Sequence, residues 1–179
     1  MTTRTAFISG PLDPSDAYFR LHYEPLIQTA IRAGDSFIVG PVAGVDAMAL
    51  SFLLRSGVQP QRITVYMAHF EYYDEPRKLA FETLGVNVRL VGPATATTRD
   101  RDAAMTAASD YDILRYRTEA EAKAEYGPRW YPRVSNTEMN ERRRRGISSA
   151  AYTLPDVSET NSHRSSRKLK ILEFFKFNY

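Results

Sequence analysis

Four short segments carry the residue types best suited to chemistry. The first is Ser9-Gly10-Pro11, placed directly after an apolar run. A glycine just past a strand lets backbone N–H groups come close to a ligand; the plain alternative is an ordinary turn between strand and helix. The second is Gly40-Pro41-Val42-Ala43-Gly44-Val45-Asp46. Gly40 and Gly44, lying between a strand and a helix, suit contact with phosphate or ribose at a helix N-terminus. The segment has neither the lysine of a Walker A loop nor the G-x-G-x-x-G spacing. Asp46 either caps its own helix or contacts the ligand.

The third segment is Arg99-Asp100-Arg101-Asp102, followed by Met105 and Ser109-Asp110. Arg101 and Met105 share a helix face. From there Arg101 can reach a phosphate or carboxylate, with Asp110 a further ligand contact. The alternative is an exposed ion-pair cluster of little energetic weight. The fourth is Ser135-Asn136-Thr137-Glu138-Met139-Asn140-Glu141. Small polar residues at a helix start offer donors to an anion, and Glu138 and Glu141 favour the positive end of the helix dipole. The alternative is an ordinary capped helix.

Other chemistries find no support. The chain has no cysteine, which excludes disulfides, thiolate zinc sites and cysteine nucleophiles. His22 and His69 stand apart, without metal-ligand spacing, so neither a metal nor a cofactor is expected. Tyr72 and Tyr73, in the segment 69–74, are expected to pack rather than to stack on a base.

The elements that must position these segments alternate. Strands are predicted at 4–9, 36–39, 62–67, 86–91 and 111–114. Helices are predicted at 21–33, 46–54, 76–84 and 100–109, several of them stopped by glycine. This rhythm predicts an α/β, Rossmann-like three-layer sandwich with a mostly parallel sheet of five or more strands. Right-handed crossovers put every strand's C-terminal end on one rim, where ligands bind near a switch in strand order. Further helices are predicted at 118–126 and 136–145, the latter capped by Ser135 or Asn136. The stretch 115–134 is long for a loop and reads as a lid or partner surface.

Residues 1–146 thus read as one nucleotide-binding domain, and 147–179 as a poorly ordered basic tail rich in Ser and Thr. Charge divides the same way. From Arg142 onward there are nine Lys/Arg against three Asp/Glu, which leaves the first 141 residues at net −3 within a total of +3. A basic isoelectric point is therefore a property of the tail, and nucleic acid is a disfavoured partner. Arg142–Arg145 reads as a solvated face with charge suited to a helix C-terminus. The aromatic, basic run Leu169–Tyr179 is too short to anchor in a membrane. No apolar run nears the roughly 18 residues of a membrane span, and the start lacks a signal-peptide core, so a cytoplasmic location is expected.

Taken in order, Ser9-Gly10, the segment from Gly40 to Asp46, Arg101-Asp-Ala-Ala-Met105 with Ser109-Asp110, and Ser135-Asn136-Thr137 resemble the SLOG superfamily. This group includes the LOG phosphoribohydrolases, once misnamed lysine decarboxylases. The resemblance covers roughly residues 4–146 as short patches, and nucleoside 2-deoxyribosyltransferases share a similar plan. It implies a nucleotide or nucleoside ligand, assembly as a homodimer, and action on an N-glycosidic bond. The family's arginine falls on Arg101. Its catalytic glutamate falls on Asn140, whose amide cannot serve as a general base or nucleophile. Glu138 or Glu141 can stand in only if the helix is rotated or shifted, and the family's Gly-Gly pair is replaced by Ser135-Asn136. Two expectations follow: an N-glycosidase or phosphoribohydrolase using Glu138 and Arg101, or a non-catalytic sensor of a nucleotide derivative.

Overall fold

The computed structural model describes residues 3–147. The tail beyond them, with its Leu169–Tyr179 run, lies outside the described residues. The sheet has five strands, all parallel: β1 (Thr5–Ser9), β2 (Ser36–Val39), β3 (Ile63–Ala68), β4 (Asn87–Val91) and β5 (Tyr111–Leu114). Their order is β4-β3-β2-β1-β5. The chain steps outward from β1 to β4 and then crosses back to place β5 on the other side of β1. The strand order therefore switches at β1, where β1 and β5 run side by side.

Helices cover both faces, because the strands are apolar on both. Ala6, Ile8, Phe37, Val39, Ile63, Val65 and Met67 form the larger core. It is covered by α1 (Asp16–His22), α2 (Glu24–Ala33) and α3 (Val45–Arg55), with Phe81 of α5 (Glu75–Thr83). On the opposite face, Phe7, Ile38 and Tyr66 pack with Met105 of α6 (Thr98–Ala107). Helix α8 (Asn136–Arg144) lies beside α6 and β5. There Arg144 holds both oxygens of Asp112, at 2.8 and 3.1 Å, and donates to the Ser109 carbonyl at 2.7 Å.

The helix expected at 21–33 is in fact two helices broken at Tyr23. Pro25 sits in the first turn of α2 and has no N–H to give to the preceding turn, so α1 ends there. Gly34 closes α2 at φ +82°, in the left-handed region. A short helix not expected from the sequence, α4 (His69–Tyr72), follows β3. Between β5 and α8 lie α7 (Glu119–Tyr126) and a 3-10 turn at Gly127–Arg129, and a further 3-10 turn at Pro60–Arg62 leads into β3.

Candidate functional site

The turns after β1 and β2 clasp each other at the C-terminal rim. Gly44 has φ +85°, and a Cβ there would strike the backbone of Pro11 and Leu12. The Val45 N–H donates to the Pro11 carbonyl at 3.0 Å, and Val45 packs on Gly10, where a Cβ would meet it. Glycine is thus required at Gly44 by both conformation and space. Tyr23 stitches the switch point together. Its hydroxyl lies 3.0 Å from the Ser9 carbonyl, 2.9 Å from the Arg115 carbonyl and 3.0 Å from the Arg115 N–H, joining the ends of β1 and β5.

Helix α8 joins the same rim. Asn140, 1% exposed, donates to the Ser9 Oγ at 3.1 Å and accepts from Arg143 at 2.8 Å. Ser135 is the N-cap, and its hydroxyl accepts from the Glu138 N–H at 3.1 Å. A cleft of about 360 Å³ opens between Pro11 and the residues Ser135, Thr137 and Glu138. Its outer wall is built from the stretch 115–134, notably Tyr116, Arg117, Tyr126, Trp130 and Arg133. The volume lies at the small end of the range for small-molecule pockets. Arg117 is fixed by the Asp13 carboxylate at 2.7 Å and the Tyr126 hydroxyl at 2.9 Å. Glu138 pairs with Arg142 at 2.8 Å.

Behind the clasped turns lies a buried charge cluster. Arg101, 5% exposed, holds Glu71 at 2.6 Å and Asp102 at 2.9 Å. Glu71 also accepts the Ala68 N–H at 2.9 Å, which fixes the start of α4. Asp46 accepts the Gly40 N–H, and a Cβ on Gly40 would collide with its carboxylate and touch the Arg101 guanidinium. Burial pushes the Asp46 carboxyl up to about 7; Arg101 opposes this, while Asp102 and Glu71 add to it. Burial alone would lower the Arg101 pKa, but Glu71, Asp102 and Asp46 together raise it. Arg101 is therefore ion-paired, as the bland alternative held, yet the cluster is buried rather than exposed.

The sequence-expected residues fall into three groups. Pro11, Ser135, Thr137 and Glu138 line the cleft; Gly10 and Gly44 form the clasped turns beside Pro11, Ser9 meets Asn140 at the same rim, and Asn136 is the first residue of α8. Gly40, Asp46 and Arg101 form the buried cluster and do not line the cleft. Asp46 does not cap α3, because the cap position is Gly44. Asp110 is a correction: it precedes β5 and accepts the Thr5 N–H at 2.6 Å, so it sits at the N-terminal edge of the sheet, opposite the cleft. Sequence reasoning missed Glu71 and the aromatic-arginine wall. The unusual length of 115–134 was the one signal for the wall.

Among the described residues, no group of three or more His, Asp or Glu is arranged to hold a metal, and no helix is long and apolar enough to cross a membrane. No family model matches the chain, and neither the curated proteins nor the solved structures yield a match.

Proposed function

We propose that this chain binds a nucleotide or nucleoside in the cleft between the β1 turn and the start of α8. One observation carries the reading: a single cleft at the topological switch point joins Pro11 and Thr137 to a wall of aromatic rings and guanidinium groups. Aromatic rings offer area to a base or sugar, and helix-start N–H groups suit a phosphate. Glu138 gives the cleft a carboxylate beside the α8 start. An ionised carboxylate there can stabilise the positive charge that develops on a ribosyl carbon, or activate water against it. The chain would then hydrolyse an N-glycosidic bond.

The sensor reading is favoured by a different observation. Arg101 is saturated by Glu71 and Asp102, and Asn140 is locked between Ser9 and Arg143. Neither is free to act on a substrate without rearrangement. One experiment separates the two. The protein is incubated with nucleosides and their 5′-monophosphates, thermal stabilisation is followed, and free base is sought by chromatography. Base release that disappears in Glu138→Gln establishes the enzyme. Saturable stabilisation without base release establishes the sensor. If no nucleoside or nucleotide stabilises the protein or loses its base, the reading fails.

A further inference from the structure

Charge at the cleft is nearly all compensated, with one exception. Arg117 is paired with Asp13, Glu138 with Arg142 at 2.8 Å, and Glu119 with Lys123 at 2.6 Å. Arg133 also lines the cleft, yet among the described residues it pairs with no carboxylate. Its neighbours are phenols: the Tyr131 hydroxyl accepts at 3.1 Å, and the guanidinium lies 5.0 Å from the Tyr131 ring and 5.5 Å from the Tyr126 ring. These contacts orient the group and leave its charge unneutralised.

A second, independent feature lies at the start of α8. Thr137 is 5% exposed, lines the cleft, and its hydroxyl makes no hydrogen bond among the described residues. That oxygen is not sealed in: among the described residues the one buried side-chain atom without a partner is Arg62 Nε, so the Thr137 hydroxyl is open to a ligand. The Ser135 cap satisfies only the Glu138 N–H, so earlier N–H groups of the helix lack a capping partner as well. An unpaired cation and an open hydroxyl thus share one cleft.

We propose that Arg133 is a specificity-determining residue that makes this cleft select ligands carrying a phosphate over their unphosphorylated counterparts. The proposal rests on the nucleotide-binding reading and deepens it. A planar guanidinium presents paired N–H groups that fit phosphate oxygens, whereas a neutral nucleoside leaves that charge unanswered. Arg133 belongs to the long stretch 115–134, so this selectivity is supplied by the cleft's outer wall rather than by the sheet.

The test is calorimetric titration of the full chain with adenosine, guanosine, cytidine and uridine, with their 5′-monophosphates, and with inorganic pyrophosphate. The parent protein is expected to bind its preferred monophosphate roughly ten- to a hundredfold tighter than the matching nucleoside. Arg133→Gln should abolish most of that preference, weakening monophosphate binding far more than nucleoside binding, and Arg133→Lys should restore part of it. Equal affinity of the parent for nucleoside and monophosphate overturns the proposal and spares the nucleotide reading. So does an equal loss for both ligands in Arg133→Gln. Pyrophosphate binding that Arg133→Gln removes, with no nucleoside or nucleotide bound, supports anion selection and overturns the nucleotide reading. No binding by any probe overturns both.

Discussion

Replacing Asp46 with asparagine should make the protein more stable at pH 8 and leave it nearly unchanged at pH 4.5. The reason is a charge imbalance in the core. Three carboxylates, Asp46, Glu71 and Asp102, surround one guanidinium, and the hydrogen bonds of Arg101 go to Glu71 and Asp102. Asp46 is left with the Gly40 N–H, and burial lifts its carboxyl from an ordinary 3.8 to about 7. The folded state therefore holds this proton more tightly than the unfolded chain does. As pH rises from about 4 to 7, the unfolded chain releases the proton first, and stability falls. A rise of roughly three units corresponds to at most about 4 kcal/mol, and about 2 kcal/mol is a realistic share once the cluster relaxes. Asparagine keeps an oxygen for the Gly40 N–H and has no charge to bury. The expected gain at pH 8 is roughly 4–8 °C in melting temperature. Thermal and urea unfolding at pH 4.5, 6 and 8 measures it. A stability difference that is the same at all three values, or a variant less stable at pH 8, would refute the charge argument.

Other perturbations probe the same framework. Arg101→Met should destabilise by about 3–5 kcal/mol at pH 7, because it strands buried carboxylates, and urea midpoints would show it. Gly44→Ala should cost well over 1 kcal/mol, since it combines a positive φ with a collision against the β1 turn; an unchanged melting temperature would contradict that geometry. Asn140→Leu breaks the Ser9 link and should cost about 1–3 kcal/mol, read by chemical denaturation. Glu121 lies below its usual range, at about 2, through its Arg115 hydrogen bond and the Thr118 N–H. Its contribution is present above about pH 4.5 and lost as pH falls toward 2, so Glu121→Gln should flatten the acid limb slightly, as an exposed pair does.

Much of the fold was legible because its signals are local. The strands Ser36–Val39 and Tyr111–Leu114 have the bounds their apolar runs indicate, and Ser135 caps α8 as its side chain allows. Tyr23 shows where local reading fails. Pro25 falls inside the helix expected at 21–33 and in fact marks the break between two helices. The buried cluster was hidden for another reason. Glu71 and Arg101 are thirty residues apart, and only the β3 and α6 packing brings them together. Helical spacing makes Arg101 a group able to reach a ligand, but its burial depends on partners that no spacing rule reveals. Asp110 differs in kind: it precedes the strand predicted at 111–114, so the parallel-sheet rule itself puts it at the edge away from the ligand rim.

The proposed ligand, a nucleotide or nucleoside, would be held between the β1 turn and α8. Backbone amide shifts recorded while a 5′-monophosphate is titrated would test it most directly. Binding in this cleft should give saturable changes clustered at Leu12, Thr118, Trp130, Thr137 and Glu138. Changes confined to the opposite edge, around Asp35, Asp110 and Tyr111, or no saturable change with any monophosphate, would contradict it.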